Sequence, residues 1–368
     1  MAAQLRTRLR AATRGSRFPV YCAVLLVCAG ARAQKEEYIG AQACGACHPD
    51  QIARQASSAH AKALSPAGEH ALAAAFSSGR QVPRPPHFHL QFRLHGNKMR
   101  AIGSDAKDVM DIPVDWAFGA GQQAVTFVTR VNEDWYLEHY LSYYSAGHSF
   151  APTPGQDAVP AKTLADAMGV LYKPLDPDTG MKACFECHST GPVLASPARE
   201  IHPTELGVRC EACHGPGRAH RDAVASGKLE RARHLIRNPS RMSASELNHF
   251  CGMCHRQPAS PGAVIDWSVA WNLRHEPIYL SQSACFRKSA GALSCLTCHD
   301  PHDQLQQDDA SYNARCQSCH SQAGHPAVNQ GTDCVACHMP RVSPQAYLRF
   351  TNHWIGVYSA GAKLKPSR

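Results

Sequence analysis

The chain has 368 residues, and its 44% hydrophobic and 18% charged content excludes a disordered polypeptide. Cysteine and histidine are the unusual components, with 17 and 22 copies, although both are ordinarily scarce. The formal net charge of +9 favours a nucleic-acid or acidic-membrane partner only if that charge lies in the folded part of the chain.

The N-terminus has the features of a secretory leader. Arginines precede an apolar run over 18–30, and Ala31-Arg32-Ala33 then supplies an A-x-A cleavage site. We expect residues 1–33 to be a cleaved signal peptide, with an uncleaved membrane anchor as the alternative. Removal of its six arginines lowers the formal net charge from +9 to +3. We therefore expect no nucleic-acid partner.

Next along the chain, the region between Cys47 and Cys184 has secondary-structure patterns of its own. Residues 50–64 and 69–76 are predicted to be helical. Alternating apolar residues predict strands over 87–94, 109–116, 124–131 and 135–144. These strands predict a small antiparallel sheet of four or five strands.

One motif, C-x-x-C-H, occurs seven times and is the attachment signature of c-type haem. Two cysteines on one helical turn form thioethers with the haem, and the histidine reaches the iron as proximal ligand. Zinc ribbons or disulfides leave the histidine after every pair unexplained. The predicted thioether cysteines are Cys44, Cys47, Cys184, Cys187, Cys210, Cys213, Cys251, Cys254, Cys295, Cys298, Cys316, Cys319, Cys334 and Cys337. The predicted proximal ligands are His48, His188, His214, His255, His299, His320 and His338.

The spacing of these motifs predicts the organisation of the chain. Six of the seven lie between Cys184 and His338, which leaves about 26 residues per haem and no room for a conventional side-chain core. We expect a mostly α and irregular fold with a haem-packed core and a small antiparallel β insertion between motifs 1 and 2. The predicted units are a signal peptide (1–33), a first haem-binding segment (34–80), the β insertion (81–155) and a six-haem domain (156–368).

The sixth position of each iron needs a second ligand, and fifteen histidines lie outside the motifs. His60 follows the first motif within a run of small residues that lets a haem approach. Other histidines lie close to motifs in contexts predicted to be ordered. The distal candidates are His60, His220, His302, His353, His202, His249 and His325. Ligation by two histidines implies low potentials, because methionine ligation raises them.

Four segments resemble the exported multihaem c-type cytochromes related to the tetrahaem electron carrier that serves hydroxylamine oxidoreductase. These segments are Tyr38–His48, Gly207–His220, Cys295–His302, and Cys334–Pro340 followed by Asn352-His353-Trp354. The resemblance implies that His60, His220, His302 and His353 are distal ligands. The haem count differs from the four or eight of that family, so haem order and partner cannot be transferred.

Two functions are compatible with seven covalently bound haems c. The first is electron transfer through closely packed, mainly bis-histidine haems of a respiratory or redox chain. The alternative is an oxidoreductase with one open iron that acts on nitrite, hydroxylamine or a similar small nitrogen compound. We expect a periplasmic protein whose redox partners (quinol-linked or an oxidoreductase complex) provide any membrane association, or one anchored to a membrane and facing the periplasm or cell surface. Beyond the predicted leader, which holds Cys22 and Cys28, one cysteine, Cys285, belongs to no motif.

Overall fold

The computed structural model describes residues 37–77, 79–256, 264–320 and 333–367. The predicted leader and one candidate ligand, His325, lie outside the described residues. Within those ranges no helix is both long and apolar enough to cross a membrane.

The helices are short, and among the described residues none exceeds nine residues in length. In chain order they are α1 Ala41–Gly45, α2 Pro49–Ser57, α3 Ala73–Phe76, α4 Leu164–Met168, α5 Met181–His188, α6 Cys210–His214, α7 Arg218–Ala225, α8 Leu229–Ala232, α9 Ala244–Gly252, α10 Glu276–Gln282, α11 Ala284–Lys288, α12 Cys295–Cys298, α13 Asp309–Gln317 and α14 Cys334–His338.

The strands are concentrated between the first and second motifs. They are β1 Leu64–Pro66, β2 Val82–Arg84, β3 Phe88–His95, β4 Lys98–Ser104, β5 Val109–Val114, β6 Trp116–Phe118, β7 Ala124–Arg130, β8 Tyr136–His139, β9 Leu141–Tyr144, β10 Ser149–Pro152, β11 Gly169–Tyr172, β12 Ser189–Thr190, β13 Leu194–Ala195, β14 Ile201–His202, β15 Glu205–Leu206, β16 Arg341–Val342 and β17 Phe350–Thr351.

Two antiparallel sheets form the β part of the molecule. The smaller sheet has the order β2-β3-β4-β5. The larger has the order β1-β6-β7-β8-β11, with β9 paired to β7 and β10 paired to β9. Both sheets contribute to one apolar core, in which the ring of Phe127 lies 4.8 Å from that of Phe92 and 4.9 Å from that of Phe76.

The hairpin of β3 and β4 shows how the sequence sets this geometry. Along β3, Phe88, Leu90 and Phe92 are buried while His89 and Arg93 are exposed, as a two-residue period requires. A two-residue loop closes the pair, and its glycine has a φ of 62°, which suits the twist of a tight hairpin.

All four predicted strand regions contain strands, although 109–116 and 135–144 each divide into two. The sheet system has two sheets, of four and seven strands, rather than the predicted single sheet of four or five. It includes β4, and it recruits β1 and β11 from either side of residues 81–155. Of the described residues 33% are helical and 21% are in strands, so a mostly α fold is not confirmed. The predicted helix over 50–64 was too long, because it ends at Ser57 and β1 begins at Leu64.

The helix of the second motif packs against the larger sheet. Phe185, a variable residue of that motif, is fully buried between the edges of Trp116 and Phe118. Burying an aromatic side chain of this size is worth about 2–3 kcal/mol. The three hydrophobic clusters of the described chain contain no residue beyond Leu206. The part that carries motifs 3 to 7 therefore has no comparable apolar core among the described residues.

A buried histidine makes the β core sensitive to acid. His139 is 2% exposed, its Nε2 lies 2.8 Å from Thr129 Oγ1, and burial lowers its pKa to about 3. The unfolded chain takes up this proton near pH 6.5, so stability falls as the pH decreases from about 6.5 towards 3. We predict a loss of about 2 kcal/mol between pH 7 and pH 5, measured by thermal unfolding of the β structure.

The control for this prediction is His89, an exposed histidine on β3. His139→Gln should flatten the pH dependence of the free energy of unfolding, whereas His89→Gln should leave its slope unchanged. Equal slopes for wild type and His139→Gln would refute the assignment.

Candidate haem-binding sites

Each described motif lies on or beside one turn of helix. In motif 1 the backbone N–H of His48 donates to the Cys44 carbonyl at 2.9 Å, and His255 donates to Cys251 in the same way. This bond places both thiols and the imidazole around a single turn. All cysteines of the seven motifs are free thiols, so the donor sets fit covalent haem attachment.

Several proximal imidazoles are oriented by a backbone carbonyl. The Nδ1 atoms of His188, His214 and His338 lie 3.0, 2.8 and 2.8 Å from the carbonyl oxygens of Ala63, Arg237 and Gly356. A histidine that donates from Nδ1 leaves the Nε2 lone pair for a metal. These rings are therefore held in the tautomer that iron ligation requires.

Three proximal histidines face another imidazole. The ring centroids are 6.0 Å apart for His255 and His60, 6.0 Å for His214 and His302, and 6.3 Å for His299 and His353. Metal–imidazole bonds are about 2 Å long, so one iron shared by two imidazoles separates their centroids by about 6 Å. Each pair has the spacing of the two axial ligands of a haem.

The surroundings of three of these rings favour the neutral form, which ligation requires. Burial, together with the neighbouring His353, lowers the pKa of His299 to about 4. Burial likewise lowers the pKa of His60 and of His353. The buried Nδ1 of His299 has no hydrogen-bond partner within the described ranges, which is unusual for a buried polar atom.

The pair of His255 and His60 has a different electrostatic environment. The Glu276 carboxylate lies 3.8 Å from His255 Nδ1 and raises the pKa of that histidine. A carboxylate behind a ligating imidazole increases its basicity as a ligand. Sequence reasoning missed Glu276, because it lies 21 positions beyond the histidine that it contacts.

The other predicted distal ligands are placed in different settings. His220 lies on α7 with its Nδ1 2.9 Å from the Ala232 carbonyl, the arrangement also seen for the proximal rings. His202, on β14, is 48% exposed and lies 3.8 Å from Glu200. His249 is exposed on α9. His275, not among the predicted candidates, also has its Nδ1 fixed, 2.8 Å from the Arg256 carbonyl.

The motifs contact one another through their cysteines. The thiols of Cys44 and Cys210 lie next to each other where α1 packs on α6, and this contact raises the pKa of Cys44 and lowers that of Cys210 to about 7. Glu211 reinforces this contact, because its buried carboxylate accepts hydrogen bonds from the backbone N–H groups of Ile39 and Gly40. Motifs 1 and 3 are therefore neighbours.

The remaining motifs follow the same principle. Contacts of Cys254 with Cys187 and of Cys295 with Cys251 lower the pKa of Cys187 and of Cys251 to about 7, and the Cys187 thiol lies 4.0 Å from the Met253 carbonyl oxygen. They join motif 4 to motifs 2 and 5. Helix α12 packs on α13 and α13 on α14, which makes neighbours of motifs 5 and 6 and of motifs 6 and 7. Cys285, on α11, is half-buried, and burial raises its pKa.

Comparisons with known proteins agree with this donor chemistry. Residues 157–215, which contain motifs 2 and 3, match the family model described as cytochrome c554 and c-prime. The multiheme cytochrome MtrA of Shewanella baltica is 23% identical over 199 residues, which is 46% of this chain and 55% of that protein. The chain thus spans about half the length of the curated relative that it matches.

The comparison with solved structures gives one further similarity. The outer cell wall cytochrome OcwA is 15% identical, with 87% of this chain and 79% of that chain covered and a TM-score of 0.48. That similarity adds no evidence about individual residues.

Proposed function

We propose that this multihaem c-type cytochrome is an exported electron carrier that holds seven haems, most of them ligated by two histidines. The observation that carries the proposal is the set of three imidazole pairs with centroids 6.0–6.3 Å apart. An iron with both axial positions filled exchanges electrons without binding a substrate, and low potentials follow from ligation by two histidines.

We infer the distal ligands of three haems from this pairing. His60 serves the haem of Cys251 and Cys254, and His302 serves that of motif 3. His353 serves the haem of motif 5. His220, with its fixed Nδ1, is a distal ligand of one of the remaining haems, and His202, His249 and His325 stay candidates.

The contacts between motifs support one order of electron flow. The cysteines are the covalent attachment points of the haems, so motifs whose cysteines touch bring the attached edges of their haems together. Motif 3 links motif 1 to motif 4, because its Cys213 lies near Cys251 and Cys254 of motif 4. We infer the order 1-3-4-5-6-7, with the haem of motif 2 as a branch at motif 4.

The predicted division into a first haem segment, a β insertion and a six-haem domain stays part of this proposal. So does a periplasmic location, with redox proteins as partners. The boundary between the insertion and the six-haem domain is not sharp, because α5, the helix of motif 2, packs in the same apolar cluster as the larger sheet.

A film of the purified protein on an electrode tests the proposal. Mass spectrometry should first show that seven haems are attached to the mature chain. Voltammetry of the film should then show reversible uptake of seven electrons at low potential and no catalytic current with nitrite or hydroxylamine. A sustained catalytic current with either compound would favour the alternative oxidoreductase, and six or fewer haems would show that a motif is unused.

A further inference from the structure

One surface segment has a strongly one-sided charge. Residues 218–241, named here the basic hairpin, comprise α7, α8 and the turn that follows them. The hairpin has seven arginines and lysines but only two carboxylates, a net charge of +5. Residues 34–368 together have +3, so the chain outside the hairpin and the leader has a net charge of −2. Seven haems, each with two propionates, add further negative charge to that remainder.

The fold presents these charges to solvent. Gly227, with a φ of 72°, ends α7 and lets α8 return against it. The six exposed cations of the hairpin are Arg221, Lys228, Arg231, Arg233, Arg237 and Arg241.

Only part of this charge is neutralised locally. Asp222 pairs with Arg221 at 2.8 Å, and Glu230 pairs with Arg233 at 3.2 Å. Both carboxylates belong to the hairpin itself. In the described part of the chain Lys228, Arg231 and Arg241 have no ion-pair partner, and they form the uncompensated part of the surface.

The hairpin is also the backbone support of two haem histidines. Its Arg237 carbonyl holds Nδ1 of His214, the proximal ligand of motif 3, and its Ala232 carbonyl holds Nδ1 of His220. A molecule bound to the exposed cations therefore lies against the segment that positions these rings, close to one end of the inferred electron path.

We propose that the basic hairpin is the docking surface for a redox partner whose own redox centre is surrounded by acidic residues. This rests on the proposed electron-carrier function. Complementary charge steers two proteins into a productive encounter and raises the association rate 10- to 1,000-fold, most strongly at low ionic strength. The hairpin provides that charge at the place where a haem is held.

The test uses the holoprotein and an acidic, low-potential electron donor, reduced plant-type ferredoxin, in stopped-flow experiments. The triple variant Lys228→Gln/Arg231→Gln/Arg241→Gln should lower the second-order rate constant about tenfold at low ionic strength. The difference should vanish at high salt, since screening removes the attraction. A matched variant, Arg93→Gln/Lys98→Gln/Lys107→Gln, removes three exposed cations from the β sheets and should leave the rate unchanged.

A cationic reductant of low potential, the reduced methyl viologen radical, separates docking from a change in the haems. The hairpin variant should be reduced by it at least as fast as wild type. Equal ferredoxin rates for the two triple variants, or a loss shared with the cationic reductant, would overturn the proposal. Loss of binding to phosphatidylglycerol vesicles with an unchanged ferredoxin rate would assign the surface to a membrane instead. If wild type accepts electrons from neither reductant, the electron-carrier function fails rather than the docking surface.

Discussion

We expect replacement of His60 by alanine to convert one low-spin ferric haem of the proposed seven into a high-spin haem that binds carbon monoxide when reduced. Among the described residues, His60 is the only imidazole whose ring pairs with that of His255. The two ring centroids are 6.0 Å apart. Without His60 the iron of the haem attached to motif 4, with His255 as its proximal ligand, would lack a sixth ligand, while the backbone around the motif is retained. Electron paramagnetic resonance and optical spectra measure the fraction of high-spin iron, which we expect to be one iron in seven.

The matched control is His89→Ala, which removes an exposed histidine of β3 far from any motif. Its spectrum should equal that of wild type. An unchanged low-spin count in His60→Ala would contradict the assignment of His60.

Expression without haem attachment should unfold one part of the chain and spare the other. The sheets and the helix of motif 2 share apolar clusters that extend from Leu64 to Leu206, and these do not involve haem. Beyond Gly207 the described residues form no apolar cluster of that size, and the aromatic group of Trp267, Tyr279 and Trp354 is small, so we expect the haems to supply most of the folding free energy there. Hydrogen exchange of the haem-free chain should be about a hundredfold slower in β3, β4 and β7 than in residues 210–256 and 264–320.

The holoprotein is the control, and both parts of it should be protected. Equal protection of the two parts in the haem-free chain would show that the motif-rich part has a core of its own. Loss of protection in both would show that the sheets depend on haem as well.

The local features of this protein could be predicted because their causes are local. The motif spacing follows from the chemistry of thioether formation, and the strand over 87–94 follows from alternation of Phe88, Leu90 and Phe92 with polar residues. β4 was missed, because Arg100 and Gly103 interrupt its apolar pattern. β1 and β11 are three and four residues long and carry no signal of their own.

Distal ligand identity depends on tertiary structure, and sequence distance is a poor guide to it. His302 lies three positions after His299, yet its ring faces His214. His60 follows motif 1 closely, yet it faces the histidine of motif 4. The sequence could nominate these residues as ligands but could not pair them, because each pair joins segments that meet only after folding.

The ferric electron paramagnetic resonance spectrum of the intact protein, recorded with and without nitrite, tests the central claim most directly. Imidazole planes that are nearly parallel give rhombic low-spin signals, and perpendicular planes give highly anisotropic ones. The interplanar angles are 12° for His214 and His302 and 83° for His60 and His255, so both signal types should be present. The account predicts low-spin iron throughout and no response to nitrite. A high-spin haem whose signal shifts on adding nitrite would contradict it.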